Sequence, residues 1–436
     1  MDNSKTTSKK SYQEDIVIQQ LKPKSEFGQN ILTLMTGTTI AQAIPLAISP
    51  ILARIYTPED FGVYALFVAI VGLMSVMAAF RYEQAILLPK FDKNAINVFM
   101  LGVGLVFMVF FASELFIFIF YKEIVSIINN EQIGIWLYFA PVTAMFIAIF
   151  NLLVSYSNRT KNYHNIAQAT VIKSLVLATG QIAIGFLRIG PTGLIFGQVI
   201  AQFFANIKLF KNIVQDKKLI SSVSRLKVYA LAKRYNNFPK YNTPHALLGT
   251  ISESMPVYIL TLYFSSELVG YYAFSLMVVL APLMILSVSI SKVYNQKIVE
   301  IKSSGNVYLF SFNLIVNLMK KVLLPYVLFV LYAPEVFVFV FGSNWQESSV
   351  IVQILSPWLL LVFIVGTLSY LPSIYNQQKK AMRIEIMNFI IKLIALMIGV
   401  YYQNFYLLLV LYSCLSCLVL IYTLHWYTKI LRGAAN

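Results

Sequence analysis

The stretch Ile51–Leu66, I-L-A-R-I-Y-T-P-E-D-F-G-V-Y-A-L, decides the architecture. An apolar run ends at Arg54, Thr57, Pro58, Glu59 and Asp60 form a polar hinge, and a second apolar run opens at Gly62. The pattern returns at Ile259–Phe274 as I-L-T-L-Y-F-S-S-E-L-V-G-Y-Y-A-F. Glu59 falls on Glu267, Gly62 on Gly270, Tyr64 on Tyr272 and Ala65 on Ala273, a shift of 208 positions (267 − 59). That offset is close to half the chain and predicts a duplicated bundle, each half starting with the same helical hairpin.

Composition sets the solvent. Charged residues make up 12% of the 436-residue chain and hydrophobic ones 58%, whereas a soluble domain carries about 25% charged residues. No soluble core hides that much apolar surface, but a bilayer does. Apolar runs of about twenty residues, each enough to span the hydrocarbon, fall at 30–52, 61–80, 96–120, 133–155, 166–188 and 192–210. After a basic stretch they resume at 244–264, 268–291, 312–332, 349–371, 383–401 and 404–426. The expected fold is an all-α integral membrane protein of twelve transmembrane helices in two parallel six-helix bundles around a central cavity. Residues 1–29 form an N-terminal tail, 30–210 and 244–427 the bundles, 211–243 the linker and 428–436 a C-terminal tail.

The net charge of +16 would suggest nucleic acid in a soluble protein. Here the bases gather in alternate loops, the mark of cytoplasmic segments, so no nucleic-acid partner is expected. Lys90, Lys93, Arg159, Lys161, Lys217, Lys218, Arg225, Lys233, Lys379 and Lys380 lie on one side; Arg54, Lys122 and Arg188 oppose them. Both termini are thereby expected in the cytoplasm. The first thirty residues lack a short apolar core and a cleavage site, so they read as a tail with an interfacial helix near Ile16–Leu21. In the linker, Leu219, Val223, Leu226 and Ala230 recur at helical spacing, which predicts an interfacial helix held by anionic membrane lipids. A solvated linker is the alternative. Trp136, Trp345 and Trp426 sit at span ends as expected interfacial anchors.

Ionisable groups within spans are informative because each costs about 2.5–3.5 kcal/mol at a helix centre. Lys173 and Lys392 lie at similar depth in counterpart spans and would make a cationic patch if both pointed inward. Snorkelling toward the interface is the plainer alternative. Glu253 lies near mid-depth, one turn before Pro256, and its repeat partner is Pro45, in a span that also carries Pro50. Kinks at these prolines would suit a rocking transporter, or Glu253 simply hydrogen-bonds a neighbour. Glu114 is close enough to the membrane edge to need no function. Cys414 and Cys417, a C-x-x-C inside an apolar run, read as inert thiols. His164, His245 and His425 are too scattered for a metal cluster. There is no Walker-type loop, and short loops leave no room for a catalytic domain, so the chain does not read as an enzyme and implies no cofactor.

The motifs R-I-Y-T-P-E-D-F-G-V-Y (Arg54–Tyr64), R-Y-E-Q-A-I-L-L-P (Arg81–Pro89), F-P-K-Y-N-T-P (Phe238–Pro244), V-G-Y-Y-A-F (Val269–Phe274) and F-G-S-N-W (Phe341–Trp345) resemble the Wzx-type O-antigen and capsular polysaccharide flippases. These form the polysaccharide branch of the multidrug/oligosaccharidyl-lipid/polysaccharide exporter (MOP) superfamily. The resemblance implies two six-helix bundles around a cavity open alternately to each side of a bacterial cytoplasmic membrane. It implies a lipid-linked oligosaccharide on undecaprenyl pyrophosphate as cargo, a proton or sodium gradient as drive, and the polysaccharide polymerase and chain-length machinery as partners. Candidate substrate-binding residues are Arg81, Glu83, Lys173 and Lys392; Glu253 is the candidate for ion coupling, and Pro45, Pro50, Pro256 and Arg54 for hinge or gate. The alternative within the superfamily is a small-molecule antiporter, which would favour an acidic or apolar cavity.

Overall fold

The computed structural model describes residues 26–128, 130–214, 221–301 and 307–433. The expected tail helix near Ile16–Leu21 and linker residue Leu219 lie outside them. In the N-terminal half the helices are α1 (Glu26–Ile55), α2 (Pro58–Ala78), the short α3 (Tyr82–Ala85), α4 (Asp92–Ile128), α5 (Phe139–Arg159, led in by a 3-10 turn), α6 (Tyr163–Gly185) and α7 (Thr192–Val214). The linker carries α8 (Arg225–Arg234). The C-terminal half holds α9 (Thr243–Tyr263), α10 (Ser266–Ile301), α11 (Val307–Leu331), α12 (Ala333–Phe341), α13 (Gln346–Thr367), the short α14 (Leu371–Ile374), α15 (Gln378–Tyr401) and α16 (Phe405–Gly433). No strand occurs among the described residues.

Eleven of these helices are long and apolar enough to cross a membrane. The twelfth expected span is α9, 21 residues long, whose hydropathy is diluted by His245, Ser252, Glu253 and Ser254. Twelve long helices fix the sidedness of the loops. One face, here the closed face, carries the turns before α2, α7, α10 and α16; the opposite, open face carries α3, α8 and α14.

The hinge of the opening stretch is a two-residue turn with a complete N-cap. The Asp60 amide donates to Thr57 Oγ1 at 3.2 Å, and Asp60 Oδ2 accepts from the Thr57 amide at 2.9 Å. Pro58 opens α2, where its missing N–H costs nothing. The sequence T-P-E-D thus stops one membrane helix and starts the next.

Within the N-terminal half, α6 packs on α1 and α7, and α5 on α2, α4 and α7; in the C-terminal half α13, α15 and α16 form the matching group. The halves meet where α2 crosses α10. A Cβ built on Gly62 would lie 1.8 Å from the Ser266 carbonyl oxygen, and one on Gly270 would lie 1.7 Å from that of Pro58. Pro58 plus 208 is Ser266, and Gly62 plus 208 is Gly270, so each half presents the same glycine to the same carbonyl of the other. The repeat is therefore a two-fold axis built into the chain, and only hydrogen in place of a side chain permits so close an approach.

One expectation is revised. Trp136, Trp345 and Trp426 are all buried in the protein rather than exposed at an interface. In the linker, the helix docks through Leu231, with Val223 partly buried against the same cluster, while Leu226 is 82% exposed and Ala230 is exposed too. Pro45 and Pro50 lie inside α1, and Pro256 lies inside α9. A non-helical residue, Phe120 (φ −105°, ψ 22°), falls inside α4.

Candidate transport passage between the halves

The closed face is sealed by aromatic packing around the glycine crossing. Phe61 of α2 meets Phe274 of α10 edge-on at 5.3 Å and Trp345 at 5.2 Å; Phe274 and Trp345 are 4.0 Å apart. Gly342, at φ 104°, ends α12 in a conformation that favours glycine and leads into the 3-10 turn Ser343–Trp345. From there the fully buried Trp345 indole N–H donates 2.8 Å across the halves to the Ala53 carbonyl. Ala53 is in the last turn of α1, where carbonyls lack intrahelical partners, so the indole caps α1 from the opposite half. Asn130 Nδ2 adds a second bridge, donating to Ser266 Oγ at 2.7 Å.

At the open face the halves part around a vestibule of about 540 Å³. Arg81 and Gln84 line it from the N-terminal half, and Asn242, His245, Gln378 and Lys379 from the C-terminal half. Asn242 Nδ2 donates to Gln84 Oε1 at 3.1 Å along its edge. Arg81 is set in place by two consecutive left-handed residues, Phe80 (φ 46°) and Arg81 (φ 61°), which break the chain between α2 and α3. Such residues persist only where the surroundings hold them. Arg81 Nη1 lies 3.3 Å from Glu83 Oε1, while its buried Nε has no partner. Burial pushes the Glu83 carboxyl above its ordinary range, partly offset by backbone hydrogen bonding and Arg81.

A second cavity, of about 750 Å³, enters the C-terminal half between α9, α13, α15 and α16. It shares the wall residues His245, Gln378 and Met382 with the vestibule, so the two cavities adjoin. Its polar lining includes Glu253, Ser369, Ser373, Glu385, Asn388 and Thr423. His245 Nε2 lies 3.7 Å from Glu385 Oε2 at the junction. Among the described residues, no Lys or Arg lines this cavity and no Asp or Glu lines the vestibule.

Each of the two lysines stands over an aromatic ring of its own half. Lys392, on the α15 face that also carries Glu385 and Asn388, is buried with its ammonium 5.6 Å from the Trp358 ring centre and 5.3 Å from that of Tyr412. Lys173 stands 5.1 Å over Phe150 in the other half. Phe150 and Trp358 are again 208 positions apart (358 − 150), so each half holds its lysine over the equivalent ring. A cation–π contact retains a desolvated ammonium with about 2 kcal/mol of attraction. Arg54 is exposed on the closed face, in the last turn of α1, where a cation complements the helix dipole. Glu114 is half-buried on α4. Sequence reasoning missed His245, Lys379 and Glu385 as wall residues and Trp345 as an inter-half bond. The repeated glycines were visible, but their contact was not.

Comparison with known proteins agrees with this architecture. No curated protein matched the chain. Among solved structures, the lipid II flippase MurJ in an inward closed conformation superposes with a TM-score of 0.59 at 15% identity, covering 92% of this chain and 90% of that one. An inward-facing multidrug resistance MATE family transporter of the MOP superfamily gives 0.57 at 14% identity, covering 92% and 94%. A MOP superfamily transporter from Pyrococcus furiosus, described by the reverse polarity of its binding pocket, gives 0.53 at 13%, covering 95% and 98%. These likenesses show the fold of a multi-pass membrane protein. The family model described as "Polysaccharide biosynthesis protein" matches residues 51–351, from the first hairpin into α13, and the chain belongs to that family.

Proposed function

We propose that the protein is a flippase for lipid-linked oligosaccharides, moving undecaprenyl-pyrophosphate-bound repeat units across the bacterial cytoplasmic membrane by alternating access. The observation that carries the reading is a pair of adjoining cavities with a basic mouth, opening between the halves at one face while the other face is sealed. A glycan cannot cross hydrocarbon unaided, because its hydroxyls would lose water without replacement. A passage between helices supplies partners while the lipid tail stays in the bilayer. The open face carries Lys90, Lys93, Arg159, Lys161 and the basic linker, so it is assigned to the cytoplasm. Arg81 and Lys379 receive the pyrophosphate at the mouth, with Glu83 yielding Arg81 on protonation, and Lys173 and Lys392 act deeper. Release on the far side requires the Gly62–Gly270 crossing to part.

Glu253 is the proposed ion-coupling group: it is exposed to the cavity at mid-helix, where protonation or sodium binding would alter the charge facing Lys392. Glu253→Gln is expected to remove the proton or sodium dependence of transport in proteoliposomes; undiminished dependence would assign Glu253 a structural role.

A second reading is favoured by one observation. Glu253 and Glu385 make the C-terminal cavity acidic, as an exporter of cationic small molecules would need. A growth assay with cationic drugs in overproducing cells separates the two. The flippase predicts unchanged resistance and loss of surface polysaccharide on deletion; the exporter predicts the reverse.

A further inference from the structure

We propose that the two adjoining cavities are divided by charge into a phosphate end and a sugar end, and that the acidic C-terminal cavity binds the glycan. This inference rests on the flippase reading. It goes further by assigning a separate sugar chamber and the class of glycan that chamber accepts.

The argument starts from the walls. Arg81, which Glu83 flanks at 3.3 Å, and Lys379 line the vestibule, whereas Glu253 and Glu385 line the adjoining chamber; among the described residues that lining includes His245 but no Lys or Arg, and Lys392 stands outside it on the α15 face that carries Glu385. One polyanion would be drawn to the first space and repelled from the second. A cargo that fits both carries phosphate at one end and neutral or cationic groups at the other. The chamber's remaining chemistry suits rings dense in hydroxyls. Carboxylates accept two hydroxyl protons at once, an amide both donates and accepts, and serine hydroxyls adapt to either need. Asn388 Oδ1 is buried without a hydrogen-bond partner, an acceptor awaiting a donor, and it stands on the same face of α15 as Glu385. About 750 Å³ is within the size of a ligand pocket.

The consequence is selectivity. Two carboxylates facing one chamber disfavour uronic acids and other acidic sugars, and favour neutral sugars and those bearing a free amine. The basic mouth, with Arg81 and Lys379, does not impose that choice, because His245, paired with Glu385, stands between the two spaces.

The test uses the full chain in detergent or nanodiscs and three soluble disaccharide probes: amine-bearing chitobiose, neutral cellobiose and the acidic cellobiouronic acid. Binding is read by saturation-transfer NMR, with inorganic pyrophosphate in a separate arm. The expected order is chitobiose, cellobiose, then cellobiouronic acid. Glu385→Gln and Glu253→Gln should each narrow the amine-to-acid ratio by about two- to fivefold, the range for a partly solvated charge. Ser373→Lys, which adds a cation to the same wall, should reverse it. Lys379→Gln should leave the ratio unchanged and weaken pyrophosphate binding. Ratios unmoved by Glu385→Gln, Glu253→Gln and Ser373→Lys, in variants that keep the thermal unfolding midpoint of the parent, overturn the proposal. Preserved sugar preference without any pyrophosphate binding would instead sink the flippase reading and leave the chamber a sugar site.

Discussion

Replacing Gly62 by alanine tests how the passage closes. A methyl at Gly62 would sit 1.8 Å from the Ser266 carbonyl oxygen, where real contacts keep at least 3.0 Å. The obstacle is backbone, so α2 and α10 must separate by at least 1.2 Å (3.0 − 1.8) along that direction. Gly270→Ala makes the symmetry-related clash with Pro58 at 1.7 Å. Separation would also loosen the Phe61–Phe274–Trp345 cluster. Overpacking of this kind costs about 1–3 kcal/mol, and because the strain exists only when the crossing is closed, it shifts the closed-to-open ratio by about 5- to 150-fold. Spin labels at Glu131 and Gln403, with Cys414 and Cys417 replaced by serine, would read the closed face from its two halves. Double electron–electron resonance in nanodiscs should show a longer-distance population in each alanine variant. Distance distributions matching the parent in both variants would refute the idea that the crossing is the gate.

Three further outcomes follow from the same geometry. Trp345→Phe keeps the ring cluster but loses the indole bond to Ala53; it should weaken closure by about 0.5–1.5 kcal/mol, read with the same labels as a smaller shift in the same direction. Glu83 has a carboxyl pKa raised by burial above its ordinary 4.5, so its protonated form favours folding, and that contribution is present below the unfolded pKa and lost as pH rises through the folded one. Glu83→Gln should therefore flatten the rise in thermal unfolding midpoint that the parent shows as pH falls from neutrality toward about 4.5. Replacing Lys173 and Lys392 together with glutamine should abolish surface polysaccharide while protein levels hold; unchanged polysaccharide would remove both from the cargo path.

Much of the fold was legible because a bilayer demands it. All twelve apolar runs became helices, and the capped T-P-E-D turn fixed the first hairpin from four letters. The repeat was legible as well, since the glycines that cross at the two-fold axis were the ones that aligned. Partnership between distant elements was not. Trp345 read as an anchor because sequence shows its neighbours in the chain, whereas its bond to Ala53 depends on how the halves pack. His245 read as an isolated imidazole, and Glu385 drew no reading at all, until α9 and α15 brought them together. In the linker the apolar spacing did not tell which residue meets the bundle: Leu231 docks there, whereas Leu226 is exposed. Depth correctly set Lys173 and Lys392 apart, but depth says nothing about direction, and both turned toward aromatic rings of their own half.

The central claim is that a passage with a basic mouth between two pseudo-symmetric halves moves a phosphate-headed glycolipid. The direct measurement is transbilayer movement of a fluorescent short-chain polyprenyl-pyrophosphate disaccharide in proteoliposomes, scored by the fraction accessible to a membrane-impermeant quencher. Movement by the parent protein, slowed in an Arg81→Gln/Lys379→Gln double variant that remains folded, is the predicted result. A parent protein that leaves this lipid in its original leaflet while exporting an organic cation would contradict it.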